Sequence, residues 1–334
     1  MEQVNWGIIG CGDVTEVKSG PVFNKVPQSA LVAVMRRDAE KVKDYADRHG
    51  VPKYYTDAQA LINDPDINAI YIATPPDSHE AYTLAAIAAG KPVYVEKPMT
   101  IHTASAVKMV KAANEHNVKL TVAHYRREQP LYKTLKEIID SNIIGQVRLI
   151  KLSMIKKRLT PEQLQVDKTS WRVNTAIAGG GLFHDLAPHQ LDILYYLFGK
   201  AKKVQGIATN QSKLYDADDV VAGTILFENG IIFQGNWCFS LAQVKEEDTC
   251  EITGEEGSIR FSFFNTAPMI VQTKDTQHAY EFQALQHVQQ PMIEKVVQYF
   301  LGNSTNPCSG EEGVMIMEWL DAMSKSFSYN LTEK

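Results

Sequence analysis

A short apolar run, Val4–Ile9, breaks off at Gly10-Cys11-Gly12-Asp13-Val14-Thr15 and opens a helix. A glycine turn between a strand and a helix narrows the choice of fold more than any other stretch of this chain. Gly10 suits a tight turn, and Gly12 lets the backbone approach a ligand with no side chain between them. A phosphate is the natural ligand, because the free N–H groups and dipole of a helix N-terminus favour anions. Thr15 stands where a third glycine often serves close helix–strand packing, so the pattern is incomplete. The context supports it. Further strand-length runs at Leu31–Met35, Ala69–Ala73, Val93–Val95 and Leu120–Ala123 alternate with amphipathic segments at Ala39–His49, Ser78–Ala89 and Ala104–His116. Such alternation implies βαβ units and a parallel sheet. Gly50 and Gly90 stand just past two of these helices, the usual place for a C-terminal glycine, and Ser78 is placed to cap the start of one.

The texture changes near residue 123. Residues 146–156, 203–210, 220–227, 231–239, 247–253 and 258–264 read as strands, with short turns at Glu228-Asn229-Gly230 and Gly254-Glu255-Glu256-Gly257 that argue for an antiparallel sheet. Helices are expected over Leu182–Leu197 and near 291–301 and 311–326. The expected architecture is an α/β domain over residues 1–123 and an α+β domain over 124–334, and 334 residues are enough for two domains. With 44% hydrophobic and 22% charged residues the chain is not of the disordered class. A net charge of −5 leaves no basic excess to draw nucleic acid or a membrane surface. No apolar run is long enough to span a bilayer, and the N-terminus lacks the pattern of a secretory leader. Cys11, Cys238, Cys250 and Cys308 are scattered without metal-ligand spacing, as expected of buried thiols in a cytoplasmic protein.

The strand after the first helix ends in Arg36-Arg37-Asp38, and Arg36 follows Gly12 by 24 residues. An acid near this spacing would bind the ribose hydroxyls of NAD; guanidinium groups suit a 2′-phosphate. NADP(H) is therefore expected over NAD(H), with Asp38 the alternative ribose ligand. Gly10, Gly12, Asp13, Val14, Arg36 and Arg37 form the expected cofactor-binding set, joined by Thr74, Pro75 and His79 from the strand end Ala73-Thr74-Pro75-Pro76-Asp77-Ser78-His79. Packing is the other reading of His79. The next strand runs into Glu96-Lys97-Pro98, where a buried charged pair is costly unless partnered or used. Lys97 is placed to reach the nicotinamide ribose and the reacting oxygen of a substrate. Further on, Asp185 and His189 in Gly179-Gly180-Gly181-Leu182-Phe183-His184-Asp185-Leu186-Ala187-Pro188-His189 are four residues apart and share one helical face. A histidine titrates near neutrality, as a general acid or base needs.

Taken in order, GIIGCG, ATPPDSH, EKP and GGGLFHDLAPH resemble the Gfo/Idh/MocA oxidoreductases, relatives of glucose–fructose oxidoreductase and inositol dehydrogenase, over essentially the whole chain. The resemblance implies an N-terminal Rossmann domain and a C-terminal domain built on an open, mostly antiparallel sheet. It implies NAD(P)-dependent oxidation or reduction of a sugar, inositol or related polyol, without a metal. Lys97 matches the lysine that positions the cofactor and polarises the reacting oxygen, His189 the catalytic histidine, and Asp185 its companion aspartate. Glu96 and Arg172 are expected at the cofactor, and Arg127 and Trp171 at the substrate. Asp192 is a candidate to hold the imidazole, and Asp167, Lys168 and Asn174 are weaker pocket candidates. His184 points to another helix face and is expected to be structural. A homodimer or homotetramer is implied, with residues 220–239 the candidate interface. The rival activities are a glycoside hydrolase that uses NAD without net redox, and a non-enzymatic nucleotide or sugar sensor. The intact Lys97, Asp185 and His189 count against both.

Overall fold

The computed structural model describes residues 2–324, apart from the side chains of Asp167 and Lys168. The described residues form two compact units, residues 2–129 with 284–317, and residues 130–283 with 318–324.

The first unit is built on β1 (Val4–Ile9), β2 (Ser29–Met35), β3 (Lys53–Tyr55), β4 (Ala69–Ile72), β5 (Val93–Val95) and β6 (Leu120–Val122). They lie in the order β3-β2-β1-β4-β5-β6, and neighbouring strands are parallel. Parallel strands covered on both faces read as unbroken apolar runs; β4 (AIYI) and β5 (VYV) are accordingly buried at every residue. Strand order reverses at β1 and β4, so the carboxyl ends of these two strands flank the ligand crevice of such a sheet. The helix Ala39–His49 begins at Asp38, whose side chain accepts from Lys41 N, and ends at Gly50 in the left-handed region (φ 64°). Residues 284–317 return to this unit. Phe300 of the helix Gln290–Leu301 packs 5.4 Å from Trp6 of β1. Lys119 donates to the carbonyls of Tyr299 and Phe300 (2.7 and 3.0 Å) in the last turn of that helix, where backbone partners run out.

The second unit contains β7 (Val147–Lys157), β8 (Ala201–Thr209), β9 (Val220–Phe227), β10 (Ile232–Leu241), β11 (Glu247–Gly254), β12 (Gly257–Phe261), β13 (Met269–Thr273) and β14 (Gln277–Tyr280). The order is β14-β13-β12-β11-β7-β10-β9-β8. Among the described residues its neighbours are antiparallel except β7 and β10, which run parallel over most of their length. One face is covered by the helix Gly181–Phe198 and by residues 318–324. Trp237 donates to Gln190 (2.6 Å), Phe227 meets Trp319 at 5.8 Å, and the sulfur of Met323 fills the space a side chain would need at Gly223. Each large apolar side chain buried here, such as Phe227 and Phe233, contributes roughly 1.5–3 kcal/mol. Ile207, Ala222, Gln234 and Asn236 are exposed on the other face.

Three features depart from the sequence reading. The first helix is a single turn, Asp13–Val17, followed by a short 3-10 segment, Gly20–Val22. The strand expected over 258–264 ends at Phe261, because the carboxylate of Asp248 takes the N–H groups of Phe263 and Phe264 in place of a neighbouring strand. β3, β13, β14 and the helix Pro130–Asp140 carry no expectation from the sequence. The final helix runs Gly310–Ser324, and its expected last two residues lie outside the described residues.

Candidate active site

At the end of β1 the chain turns tightly. The N–H groups of Gly10 and Cys11 both donate to Met35 O at the end of β2 (2.9 and 3.2 Å). Gly10 has φ +97°, and a Cβ there would lie 2.7 Å from the backbone nitrogen of Thr74. Gly12 differs: its φ is −133°, and a Cβ would meet nothing within 4 Å. Gly10 is thus needed by the protein's own backbone, while the surface above Gly12 is open. Thr15, in the third-glycine position, is fully buried; its hydroxyl donates to Gly12 O (2.8 Å), and its carbonyl accepts from Tyr45 Oη (2.8 Å). Close packing is supplied instead by Gly20, where a Cβ would come within 2.2 Å of Thr15 O and of Tyr45 Oη. Asp13 is exposed and Val14 half-buried on the short helix. Arg36 arches over the turn, its Nη1 donating to Cys11 O (3.2 Å), and Arg37 is exposed. The N–H of Lys41 holds the Asp38 carboxyl below its usual range. An open glycine backbone beside a guanidinium fits a dinucleotide phosphate.

The carboxyl ends of β4 and β5 meet through buried polar groups. Ser78 sits at the expected cap position, but its hydroxyl turns back to Thr74 Oγ1 and Pro75 O (2.8 and 2.9 Å). His79 is fully buried; its Nε2 lies 2.7 Å from Thr74 O, and its Nδ1 lies 3.1 and 3.2 Å from the carbonyls of Pro98 and Met99. Burial holds the imidazole below its ordinary pKa, against the pull of those carbonyls. His79 therefore ties the Thr74-Pro75 turn to the Lys97-Pro98 turn from inside the fold. Glu96 is also buried, and its Oε1 accepts from Tyr71 Oη and Gln289 Nε2 (both 2.6 Å). Tyr94 Oη donates to Gln289 Oε1 (3.3 Å). Burial, reinforced by the Glu96 carboxylate, pushes the Tyr71 and Tyr94 phenols well up, so both remain donors. Lys97, the next residue, is half-buried. Arg127 is buried at 3% exposure and pairs with Glu312 (2.7 Å), which anchors the segment after β6.

In the second unit the glycine turn and the helix Gly181–Phe198 carry the motif residues. Gly181 has φ +66°, and a Cβ there would lie 2.4 Å from Ala217 Cβ. Asp185 accepts from Arg172 Nε (3.2 Å), and the Arg172 guanidinium lies over the Trp171 ring at 4.6 Å. Both members of the pair are about a quarter exposed, at 24% and 23%. Trp171, Arg172 and Asp185 are thus brought together. Four residues beyond Asp185, His189 is 6% exposed with the ring of Phe264 beside it, centroids 5.8 Å apart and planes at 69°. Asp192 is buried on the same helix. His184 faces away, as expected, with Nε2 3.2 Å from Ser324 Oγ. Asn174 caps a short helix by accepting from Ala176 N, and the side chains of Asp167 and Lys168 lie outside the described residues. Phe264 and Asp248 went unremarked in the sequence. The only signal is the aromatic run Phe261-Ser262-Phe263-Phe264, which reads as a strand.

This fold and these turns define an oxidoreductase with an NAD-binding Rossmann unit. Residues 4–124 match the oxidoreductase family with NAD-binding Rossmann fold, and residues 132–260 match the GFO/IDH/MocA C-terminal domain. The chain belongs to the GFO/IDH/MocA oxidoreductase family. It is 47% identical over 319 residues to oxidoreductase P35 of Formosa agariphila, covering 96% of this chain and 98% of that one. It is 31% identical to the 1,5-anhydro-D-fructose reductase of Ensifer adhaerens, over 76% of this chain and 74% of the relative. A levoglucosan dehydrogenase solved with NADH and levoglucosan shares the fold at a TM-score of 0.84 and 22% identity, with 96% of each chain covered. Among the described residues no helix is long and apolar enough to cross a membrane, and no cluster of three or more His, Cys, Asp or Glu side chains is arranged to hold a metal.

Proposed function

We propose that this oxidoreductase interconverts a hydroxyl and a carbonyl on a sugar, inositol or related polyol, with NADP(H) preferred over NAD(H). The observation that carries the reading is the second-unit constellation. Asp185, paired to Arg172 and partly open to solvent, shares a helix face with His189 and its aromatic neighbour. A sugar-derived substrate is favoured by the 1,5-anhydro-D-fructose reductase relative. Residues 1–123 are assigned the cofactor, and residues 124–334 the substrate and self-association. The open sheet face with Ile207, Ala222, Gln234 and Asn236 is the surface assigned to a homodimer or homotetramer.

Gly12, with Asp13 and Val14, presents backbone to the pyrophosphate, and Arg36 meets the 2′-phosphate. Thr74, Pro75 and Lys97 line the nicotinamide end, where the turns fixed by His79 and Glu96 hold them. The bound nicotinamide supplies the hydride acceptor or donor. In the oxidation direction His189 is assigned the hydroxyl proton, and Lys97 is assigned to hold the cofactor and stabilise developing charge. Asp185, held by Arg172, orients a neighbouring substrate hydroxyl. Trp171 and Arg127 are the weaker substrate assignments, Arg127 acting from its buried pair with Glu312.

The test is absorbance of reduced nicotinamide at near-ultraviolet wavelengths. Protein stripped of nucleotide is mixed with NADP or NAD and a panel containing myo-inositol, levoglucosan, D-glucose and D-sorbitol, and with NADPH or NADH and 1,5-anhydro-D-fructose. Turnover of one member, faster with the phosphorylated cofactor, is the expected result. Tight cofactor binding with no turnover across the panel sinks the reading.

A further inference from the structure

The aromatic residue beside His189 has a purpose-built support. Phe264 follows β12, outside residues 132–260 that match the C-terminal family domain. Both Asp248 carboxylate oxygens are engaged here, accepting from Phe263 N (3.1 Å) and Phe264 N (2.6 Å), and Ser262 Oγ donates to Asp248 O (2.6 Å). Behind it Phe261, Phe263 and Tyr132 form a buried cluster, with Phe263 5.2 Å from Phe261 and 5.8 Å from Tyr132. Phe263 and Phe264 are 6.4 Å apart, so the cluster continues to the half-buried Phe264 ring. A half-open ring on a rigid mount, next to the imidazole of the proposed acid/base, is placed to touch whatever that imidazole touches.

We propose that Phe264 is a specificity-determining residue, a platform for the C–H face of a cyclic substrate whose reacting hydroxyl is held at His189; this rests on the function proposed above. A hydroxyl in hydrogen-bond reach of His189 lies roughly 3 Å from its nitrogen. The rest of a six-membered ring then extends over a neighbour centred 5.8 Å from the imidazole. The face of an aromatic ring carries partial negative charge, which complements the weakly positive C–H groups on one face of a pyranose or cyclitol. An open-chain polyol presents no such rigid face. Asp248 acts as a positioning residue, through the two backbone N–H groups it holds.

The experiment compares the KM and kcat of wild type, Phe264→Ala, Phe264→Leu and Phe264→Tyr at saturating NADP, with myo-inositol and levoglucosan as ring probes and D-sorbitol as the open-chain probe. Wild type is expected to favour a ring probe. Phe264→Ala should raise the ring-probe KM about tenfold and change kcat less than about threefold, with Phe264→Tyr close to wild type. Phe264→Leu, which keeps bulk without the π face, should fall between them, and it replaces the alanine variant if that variant fails to fold. Asp248→Asn should raise the same KM while leaving cofactor affinity unchanged. Active wild type with unchanged KM in Phe264→Ala or Phe264→Leu overturns this inference alone, and so does a preference for D-sorbitol. Wild type inactive on every sugar and polyol of the panel overturns the proposed function and this inference with it.

Discussion

In the first unit, His79 and Glu96 are 0% and 5% exposed; the ring nitrogens of His79 face backbone carbonyls, and a Glu96 carboxylate oxygen is bonded to Tyr71 and Gln289. In the second, Arg172 and Asp185 are paired yet about a quarter exposed, and Phe264 stands half-open beside His189. His79, Glu96 and Asp185 all stand in the motifs that carry the family pattern. The difference teaches that such a pattern mixes residues that build a turn with residues that meet a ligand. For Glu96 and Asp185 exposure separates the two where the letters do not. His189, at 6% exposure, is as buried as Glu96 and is set apart instead by the half-open Phe264 beside it.

The largest effects should come from the residues assigned to chemistry. His189→Asn and Lys97→Ala are each expected to lower kcat by about 10²–10⁴-fold, with melting temperatures near that of wild type. Steady-state rates on the active panel member and a thermal scan test this. If the rate loss tracks unfolding, these residues belong with His79 and Glu96, and the contrast between the regions fails.

Removal of a buried acceptor should have the opposite signature. Glu96→Ala removes the oxygen that Tyr71 Oη and Gln289 Nε2 both donate to. Tyr71 keeps Ser19 Oγ at 3.1 Å, so Gln289 Nε2 is the buried donor deprived of its acceptor, at a cost of about 1–3 kcal/mol. Urea unfolding should therefore show a loss of a few kcal/mol. Arg172→Ala breaks a partly exposed pair whose worth is about 0–1 kcal/mol. Equal stability losses in the two variants would erase the distinction drawn from burial.

The glycine turn holds the same contrast within three residues. Gly10→Ala places a Cβ at positive φ against the Thr74 backbone, a strain of about 1–3 kcal/mol. Gly12→Ala meets no neighbour, so its stability should stay within about 0.5 kcal/mol of wild type. Nicotinamide fluorescence should nevertheless report weaker cofactor binding in Gly12→Ala, because the methyl group occupies the side from which the pyrophosphate approaches. Unaltered affinity there would remove Gly12 from the cofactor site.

His79 adds a dependence on pH. Its folded-state pKa is held below the ordinary value of 6.5 by burial. Below that pH the unfolded chain takes up a proton that the folded chain resists. The contribution is therefore complete above pH 6.5 and is lost as pH falls toward the folded value, with a slope of at most about 1.4 kcal/mol per pH unit. The unfolding free energy of wild type should drop more between pH 7.5 and 5.5 than that of His79→Gln. Parallel pH curves for the two proteins would contradict a buried neutral imidazole.

The same physics decides how much was legible in the sequence. β1 and β5 have the expected bounds because a strand buried on both faces shows as an unbroken apolar run. The helix Ala39–His49 was legible from its amphipathic run and from Gly50 after it, whereas the cap at Asp38 shows only in the structure. β3, β13 and β14 escaped because three to five residues at or near a sheet edge hold too few buried positions to show a period. The Lys97 and His189 motifs were readable in the sequence as candidates for chemistry. The partners that fix their surroundings were not: Gln289 reaches Glu96 across 193 residues of chain, and Phe264 reaches His189 across a break in a strand. Such contacts exist only after folding and leave no local period.

The smallest effect concerns the choice of cofactor, and it sharpens the comparison where exposure is greatest. Arg36, Arg37 and Asp38 are adjacent, but their surroundings differ. Arg36 is half-buried and donates to the carbonyl of Cys11 in the glycine turn. Arg37 is exposed, and Asp38 caps the following helix by accepting from Lys41 N (3.0 Å). Of the three, Arg36 is the one pre-set beside the turn that would receive the pyrophosphate. A charge-assisted hydrogen bond to a phosphate is worth about 1.5–3 kcal/mol, and solvent screening reduces this at a partly open site. Arg36→Ala should thus lower the ratio of kcat/KM with NADP to that with NAD about tenfold, more at low salt than at 0.15 M. Arg37→Ala should shift the ratio less, and Asp38→Ala should cost about 1 kcal/mol of stability as a lost cap while leaving the ratio in place. A selectivity carried by Asp38 instead would invert this order, with NAD favoured in the wild-type protein and Asp38→Ala the variant that loses it.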